Sequence, residues 1–361
     1  MKLLIDAHVF DGKYQGTRTY LQGLYQNMVH HKDIEFYFAA QNIENLKQYF
    51  GNEENIHYIK LKTHNSIKRL LIEFPNIIRK YGIDYAHYQY ISAFGKYCKE
   101  IVTIHDLLFL DYPQYFSYGY RLKNRFFFRR SGKKADILLT VSEYSKNEIA
   151  IHFGISRSKI YITPNAVLPV ENHRHIDVKD KMGLDKYILT VSRIEPRKNH
   201  LILLKAFVDL NLANKGYKLV MVGAPDLSYK KFYTFYDNLE EPIKSAIVMK
   251  SVSFPELVEL YNRANLFVFP SFAEGFGIPP LEAIEYGCPI LCSNATAMSE
   301  FGLPDEWTFN PYDIEELKQK MMVLLKNRPQ IENVRNDIRK RFNWENASET
   351  LYKIIVDHNN S

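Results

Sequence analysis

The feature that most constrains this chain is an alternation. Short apolar runs of about four to six residues recur along its 361 positions, each followed by a longer stretch with helical periodicity. The pattern predicts strands at Lys2–Asp6, Glu35–Ala39, Ile56–Leu61, Asp84–Tyr88, Ile101–His105, Asp136–Val141 and Ile160–Thr163. It resumes with Tyr187–Val191, Lys218–Val222, Ala246–Met249, Leu266–Phe269 and Pro289–Cys292. Between the early strands, Tyr20, Leu21, Leu24, Tyr25 and Met28 share one helical face, and Ser142 and Gly154 bracket a later helix as cap and stop. Further helices are expected to begin near Asn199, Pro255, Pro280, Ile314 and Gln330, and the last runs over about Trp344–Asp357. Alternating β and α units imply parallel sheets covered by helices on both faces. The stretch Thr163–Asp185 breaks the pattern with Pro164, Pro169, Gly183 and several charges, and reads as a linker. The expectation is therefore an α/β protein of two facing, doubly wound domains, over 1–165 and 166–343. Their strand carboxyl ends line a cleft where ligands bind.

Composition adds exclusions. With 46% hydrophobic and 24% charged residues the chain is neither disordered nor fibrous. Three cysteines, Cys98, Cys288 and Cys292, are too few and too scattered for a disulfide framework or a structural zinc site, and read as buried thiols of a reducing compartment. No apolar run approaches the roughly 18 residues of a spanning helix. The start, Met1-Lys2-Leu3-Leu4-Ile5-Asp6, reads as a first strand rather than a signal peptide. A cytoplasmic location follows as an expectation.

The segment Ser271–Ala283 carries the most chemistry. An apolar strand leads into Glu274-Gly275-Phe276-Gly277-Ile278-Pro279-Pro280-Leu281-Glu282. The glycines allow a ligand to approach the backbone, and the helix start offers N–H donors and a positive dipole end to an anion such as a diphosphate. Glu274, and Glu282 in the first helical turn, are acceptor-only groups suited to hydroxyls of a sugar and a ribose. The same pattern also fits a helix N-terminus with dipole-complementing acids. As a loop-borne carboxylate, Glu274 is expected to contribute little to packing. In Ser192-Arg193-Ile194-Glu195-Pro196-Arg197-Lys198-Asn199, Arg193 and Lys198 stand at a strand end, where a phosphate lies in such sheets, and Asn199 suits an N-cap. A solvated basic loop reads identically. Thr103-Ile104-His105-Asp106 ends another apolar strand, as a catalytic, sugar-binding or structural histidine. The loop Asp11–Arg18 lacks a Gly-x-Gly-x-x-Gly fingerprint, although Gly16 is placed for backbone contact with phosphate.

Together these residues resemble the nucleotide-sugar-dependent glycosyltransferases of family 4, with the GT-B fold of two Rossmann-like domains. Glu274–Glu282 resembles that family's Glu-x7-Glu motif, Arg193 and Lys198 its diphosphate-binding pair, and His105-Asp106 its amino-domain His-Asp. Thr163-Pro164-Asn165-Ala166-Val167 resembles its interdomain turn, with Ala166 where Gly is usual, and Leu257–Ala264 with Tyr261 resembles the helix before the last nucleotide-site strand. The likeness runs from residue 1 to about 357. It implies retaining transfer of a sugar from a nucleoside diphosphate sugar, with no metal or other cofactor. The amino-terminal domain binds the acceptor, a glycan or lipid-linked saccharide of surface polysaccharide synthesis, and the carboxyl-terminal domain binds the donor. The last helix, about 344–361, is expected to pack back onto the amino-terminal domain. Catalytic roles fall on His105, Arg193, Lys198 and Glu274. Donor binding falls on Gly16, Arg193, Lys198, Glu274, Gly275, Phe276, Gly277 and Glu282. GDP-mannose is favoured on the wording of the Glu274–Glu282 segment, with UDP- and dTDP-sugars open. A nucleotide-sugar epimerase or hydrolase and a non-catalytic scaffold share the fold.

The net charge of +6 is concentrated in part. Arg121–Lys134 contains no acid, and Arg121, Arg125 and Arg129 repeat at helical spacing beside Phe126, Phe127 and Phe128. A second basic, apolar segment covers residues 68–80. An anionic membrane surface is the partner such a stretch suits, peripheral to the inner leaflet; a solvated face over buried phenylalanines is the alternative. No recognition fold for nucleic acid is present.

Overall fold

In the computed structural model, which describes residues 1–12, 15–168 and 182–360, the strands form two sheets and every ladder pair is parallel. The first contains β1 (Lys2–Asp6), β2 (Glu35–Ala40), β3 (Ile56–Lys60), β4 (Tyr85–Gln89), β5 (Lys99–Thr103), β6 (Ile137–Thr140) and β7 (Ile160–Ile162), in the order 3-2-1-4-5-6-7. The second contains β8 (Lys186–Val191), β9 (Tyr217–Val222), β10 (Ile247–Lys250), β11 (Leu266–Phe269), β12 (Ile290–Ser293) and β13 (Thr308–Phe309), in the order 10-9-8-11-12-13. Both orders are doubly wound: the chain builds outward from one central strand, then returns to build on its other side. β1 pairs with β2 and β4, and β8 with β9 and β11. The point where direction reverses lies between β1 and β4 in one sheet and between β8 and β11 in the other.

Central strands are buried on both faces, which is why they read as unbroken apolar runs rather than alternations: Leu3, Leu4 and Ile5 in β1 and Leu266 to Phe269 in β11 are all buried. Local signals terminate the helices. Ser142 accepts from the Ser145 N–H at the start of the helix Glu143–Phe153, and Gly154 closes it in the left-handed conformation. Ser253 and Glu256 form a capping box at the start of Phe254–Arg263. The helix Gly16–Gln26 turns Tyr20, Leu21, Leu24 and Tyr25 into the core but ends before Met28, which is buried beyond it.

The chain divides into two compact units, residues 1–168 with 342–361, and residues 169–341. The return of the carboxyl terminus to the first unit has a specific anchor. The Trp344 indole lies over Gly23, where an added Cβ would stand 2.1 Å from the ring. Tyr352 stacks on His31, and the Tyr85 hydroxyl bonds His358 Nδ1 at 3.0 Å. Most of the expected linker, residues 169–181, lies outside the described residues. All three cysteines are free thiols, with Cys288 and Cys292 buried and Cys98 half-buried. Among the described residues, no helix is long and apolar enough to cross a membrane.

Candidate active site

The chemistry-bearing segments of the second unit sit at the carboxyl ends of β8 and β11, the two strands flanking its reversal point. After β8 the chain passes through Ser192 and Arg193 into a 3-10 turn, Pro196–Lys198, and then the helix His200–Asp209. Asn199 precedes that helix in the left-handed region, at φ 55°, but does not cap it. Its amide donates instead to the Pro311 carbonyl at 2.9 Å, correcting the expected capping role. After β11, Ser271–Gly277 forms the loop before the helix Ile278–Glu285. That helix starts two residues earlier than expected, because Pro279 and Pro280 fall among its first positions, where an N–H has no intrahelical partner. Glu282 therefore stands on the second turn, not the first. Gly277 is the cap, at φ 96°, and a Cβ there would press on Met298 at 3.3 Å, so the position favours glycine on both counts.

The two loops meet through charge. Lys198 Nζ lies 2.5 Å from Glu274 Oε1 and Arg197 Nη1 3.2 Å from Glu274 Oε2, while the Ser271 hydroxyl donates to Oε1 at 2.7 Å. Arg197 also donates to the Ala273 carbonyl at 2.6 Å and to Glu195 at 2.9 Å. Glu195 in turn faces Arg193 at 3.8 Å, and Arg193 reaches Asp226 at 3.7 Å. The result is a chain of alternating sign, Asp226–Arg193–Glu195–Arg197–Glu274–Lys198. Its inner end is buried and its outer end is open: the Lys198 and Glu274 side chains are 14% and 10% exposed, that of Arg193 61%. Burial pushes the Glu274 carboxyl up, but Lys198 and Arg197 outweigh it and hold the group at about 2. Burial, with Arg197, lowers the Lys198 ammonium against the opposing pull of Glu274. Glu274 is thus ionised and buried in ion pairs, which corrects the expectation that it contributes little to the fold. An ionised carboxylate has about four acceptor positions. Three donors here leave about one for a ligand hydroxyl.

Glu282 lies apart from this chain. Burial raises its pKa, and its Oε2 accepts the Tyr261 hydroxyl at 2.8 Å. Tyr261 is fully buried on the helix Phe254–Arg263. Gly275 and Phe276 are buried in the loop, Phe276 packing edge-on against Phe301.

In the first unit, His105 lies two residues past β5, buried between the rings of Tyr20 and Tyr90. Its Nε2 donates to Gln89 Oε1 at 2.7 Å, and the Gln89 amide nitrogen faces His87 Nε2 at 3.2 Å. His87 Nε2 also meets Thr103 Oγ1 at 2.7 Å, and its Nδ1 meets the Tyr25 hydroxyl at 2.6 Å. Burial takes both imidazoles down to about 3, so each is neutral at physiological pH. The Gln89 amide fixes the tautomer of His105, leaving Nδ1 as its acceptor. Gly16 opens the helix Gly16–Gln26, and an added Cβ there would meet nothing within 4 Å. Lys13 and Tyr14 of its loop lie outside the described residues. Asn165 is buried, and its Oδ1 has no hydrogen-bond partner among the described residues.

The structure thus brings Lys198 and Glu274 into contact, links Arg193 to them through Glu195 and Arg197, and leaves Glu282, Gly16 and His105 in other settings. Sequence reading missed Arg197, Glu195 and Gln89. It also missed the cluster of Asp111, Glu148 and His152, whose ligand atoms lie within 4.8 Å of one another. The His152–Asp111 hydrogen bond at 2.5 Å ties a short helix, Leu108–Asp111, to the helix Glu143–Phe153.

Comparison with known proteins bears on the family and the fold. The pattern of glycosyl transferases group 1 matches residues 172–341, and that of glycosyltransferase family 4 matches residues 15–169. O-antigen chain mannosyltransferase B of Escherichia coli is 26% identical over 88% of this chain and 92% of its own length. Serotype-specific mannosyltransferase WbdA of Escherichia coli is 30% identical over 52% of this chain, which spans only 24% of that relative's length. Among solved structures, Anabaena HepE in complex with UDP and glucose superposes with a TM-score of 0.74 at 15% identity, covering 99% of this chain and 100% of HepE. The two matched patterns, the mannosyltransferase relatives and the pair of doubly wound sheets converge: the chain belongs to the GT4-type glycosyltransferases of the GT-B fold.

Proposed function

We propose that the protein transfers a hexose, with retention of anomeric configuration, from a nucleoside diphosphate sugar to a glycan or lipid-linked acceptor of surface polysaccharide synthesis. The observation that carries this reading is the graded ion chain at the ends of β8 and β11, exposed at Arg193 and buried at Lys198 and Glu274. A diphosphate adds negative charge to a chain that is already balanced, three cations to three carboxylates. Arg193, exposed and held only at 3.7–3.8 Å, is recruited at least cost. Lys198 follows by loosening from Glu274, which frees carboxylate positions for hydroxyls of the donor sugar. Both cations then stabilise charge developing on the leaving diphosphate, so no metal ion is required. Glu282, kept beside the Tyr261 hydroxyl, binds the ribose. Neutral His105 offers the donor sugar a hydrogen-bond acceptor at Nδ1, and the acceptor hydroxyl attacks from the face the diphosphate leaves, losing its proton to a diphosphate oxygen. The mannosyltransferase relatives support mannose as the sugar; GDP is the carrier that the Glu274–Glu282 segment favours. HepE, which shares the fold, is seen with UDP and glucose and supports a nucleotide-sugar donor.

A thermal-shift panel of GDP, UDP, dTDP and CDP tests the donor. A ligand at about 100 times its dissociation constant stabilises the fold by about 2.7 kcal/mol, and GDP is expected to give the largest shift. Release of GDP from GDP-mannose, with the anomer of the product read by NMR, tests transfer and its stereochemistry. No shift with any of the four nucleotides overturns the reading; a larger shift with UDP or dTDP overturns the mannose assignment alone.

A further inference from the structure

The helix Tyr118–Lys134 carries seven basic side chains and no acid, but they serve two purposes. Arg130 and Lys134 turn inward, where Arg130 bonds the Ala93 carbonyl at 3.1 Å and Lys134 bonds the Ala93 carbonyl at 2.8 Å and Glu100 at 2.5 Å. The outward face is different. At about 100° per residue, Tyr118, Arg121, Leu122, Arg125, Phe126, Arg129 and Lys133 fall within an arc of about 140°. Tyr118, Leu122 and Phe126 are 73%, 61% and 65% exposed, so large apolar groups and cations share one solvent-facing stripe. Only Phe128 of the three phenylalanines is buried, so the stripe is not simply a solvated face over buried rings.

A second segment repeats this composition. Along residues 66–73, Ile67, Leu71 and Ile72 are exposed beside Lys68, while Arg69 and Leu70 are buried. Both segments contribute to the wall of one cavity of about 570 Å³, through Ile67 and Leu70 on one side and Tyr120 and Phe127 on the other, and Gln89 and Asp106 line it too.

We propose that these two segments form a docking surface for an anionic lipid bilayer. Exposed leucine, isoleucine and phenylalanine insert shallowly between headgroups, while the arginines and lysines meet lipid phosphates. Two contact points fix the orientation of the first unit, which a single helix lying on a membrane would not. The cavity between them then opens toward the lipid. If the transferase reading holds, that places a lipid-linked saccharide at Gln89 and Asp106, beside His105; the docking itself does not depend on that reading.

Flotation with phosphatidylglycerol-containing and pure phosphatidylcholine vesicles tests it, using the full chain. Binding to the anionic vesicles alone is expected, weakened in about 0.5 M salt, where the Debye length falls toward a few ångströms. Arg125→Glu with Arg129→Glu should reduce it about tenfold or more. Leu122→Ser with Phe126→Ser, and separately Ile67→Ser with Ile72→Ser, should each reduce it about fivefold. All these side chains are exposed, so melting temperature and nucleotide binding should stay as in the unaltered protein. Equal or absent binding to both vesicle types at low salt overturns the proposal, as does unchanged binding by the arginine pair. Self-association of the unaltered protein that is lost in Leu122→Ser with Phe126→Ser also overturns it, since a second copy then covers the face. Loss of nucleotide binding with intact flotation leaves the surface standing and removes the transferase reading.

Discussion

Replacing Glu274 by glutamine tests whether the ion chain holds the second unit together as well as serving a ligand. Glutamine keeps the shape and the Ser271 contact but removes the charge that faces Lys198 and Arg197. The carboxyl is held at about 2 instead of 4.5, a displacement worth about 3 kcal/mol at 1.36 kcal/mol per pH unit. The side chain is only 10% exposed, so solvent screening takes little of this. Removing one partner of a buried pair costs about 3–5 kcal/mol by general experience, which agrees. The sign follows from linkage: a depressed carboxyl contributes its full stability above 4.5 and loses it as pH falls toward about 2. The variant should therefore be less stable by about 3 kcal/mol at pH 7, and the gap should shrink to about 1 kcal/mol at pH 3.

Each unit carries one of the two tryptophans, Trp307 and Trp344, both buried. In a Trp344→Phe background, Trp307 fluorescence reports unfolding of the second unit in urea. A gap below about 1 kcal/mol at pH 7, or one that is the same at pH 7 and pH 3, refutes the argument that Lys198 and Arg197 hold the carboxylate ionised.

Arg193→Ala should leave the melting temperature nearly unchanged, because an exposed pair contributes about 0–1 kcal/mol. It should weaken nucleoside diphosphate binding by about 1.5–3 kcal/mol while nucleoside binding is retained, and equal losses in calorimetry would remove the diphosphate role. Gln89→Glu puts a carboxylate against His105 Nε2 and should raise the imidazole from about 3 into the assayed pH range, adding a new limb to the pH profile of transfer. Gln89→Leu gives the comparison, and a profile unchanged in Gln89→Glu sinks the tautomer argument. Transfer should survive EDTA; activity lost on chelation and restored by manganese would show that a metal supplies the charge assigned to Arg193 and Lys198.

Much of the fold was legible because both central sheets are buried on two faces, so their strands announce themselves as apolar runs. Among the described residues, twelve of the thirteen strands lie where the alternation puts them, with ends displaced by about one or two residues. The missing one, Thr308–Phe309, is two residues long and sits at a sheet edge, too short for any period to show. Helix ends were read less well where several residues compete to mark them. Pro280 suggested a start that Gly277 and Ile278 in fact provide.

The site was legible in residue types and illegible in pairings. Arg193, Lys198, Glu274 and Glu282 stand out because they follow apolar strands at the carboxyl ends where doubly wound sheets bind ligands. Nothing local says that Lys198 meets Glu274, 76 residues away, because that contact exists only once β11 has paired with β8. Arg197 was passed over for the same reason: beside Lys198 it looks like a second surface cation, and only the fold reveals that it bridges two carboxylates. Gln89 did leave a trace. His87 and Gln89 are two apart in one strand run, and Thr103 and His105 two apart in another. In strands that spacing places each pair on a single face. Two polar pairs inside otherwise apolar, doubly buried strands cost free energy unless they satisfy one another, so their presence already implied a shared hydrogen-bond network with His105 at its open end.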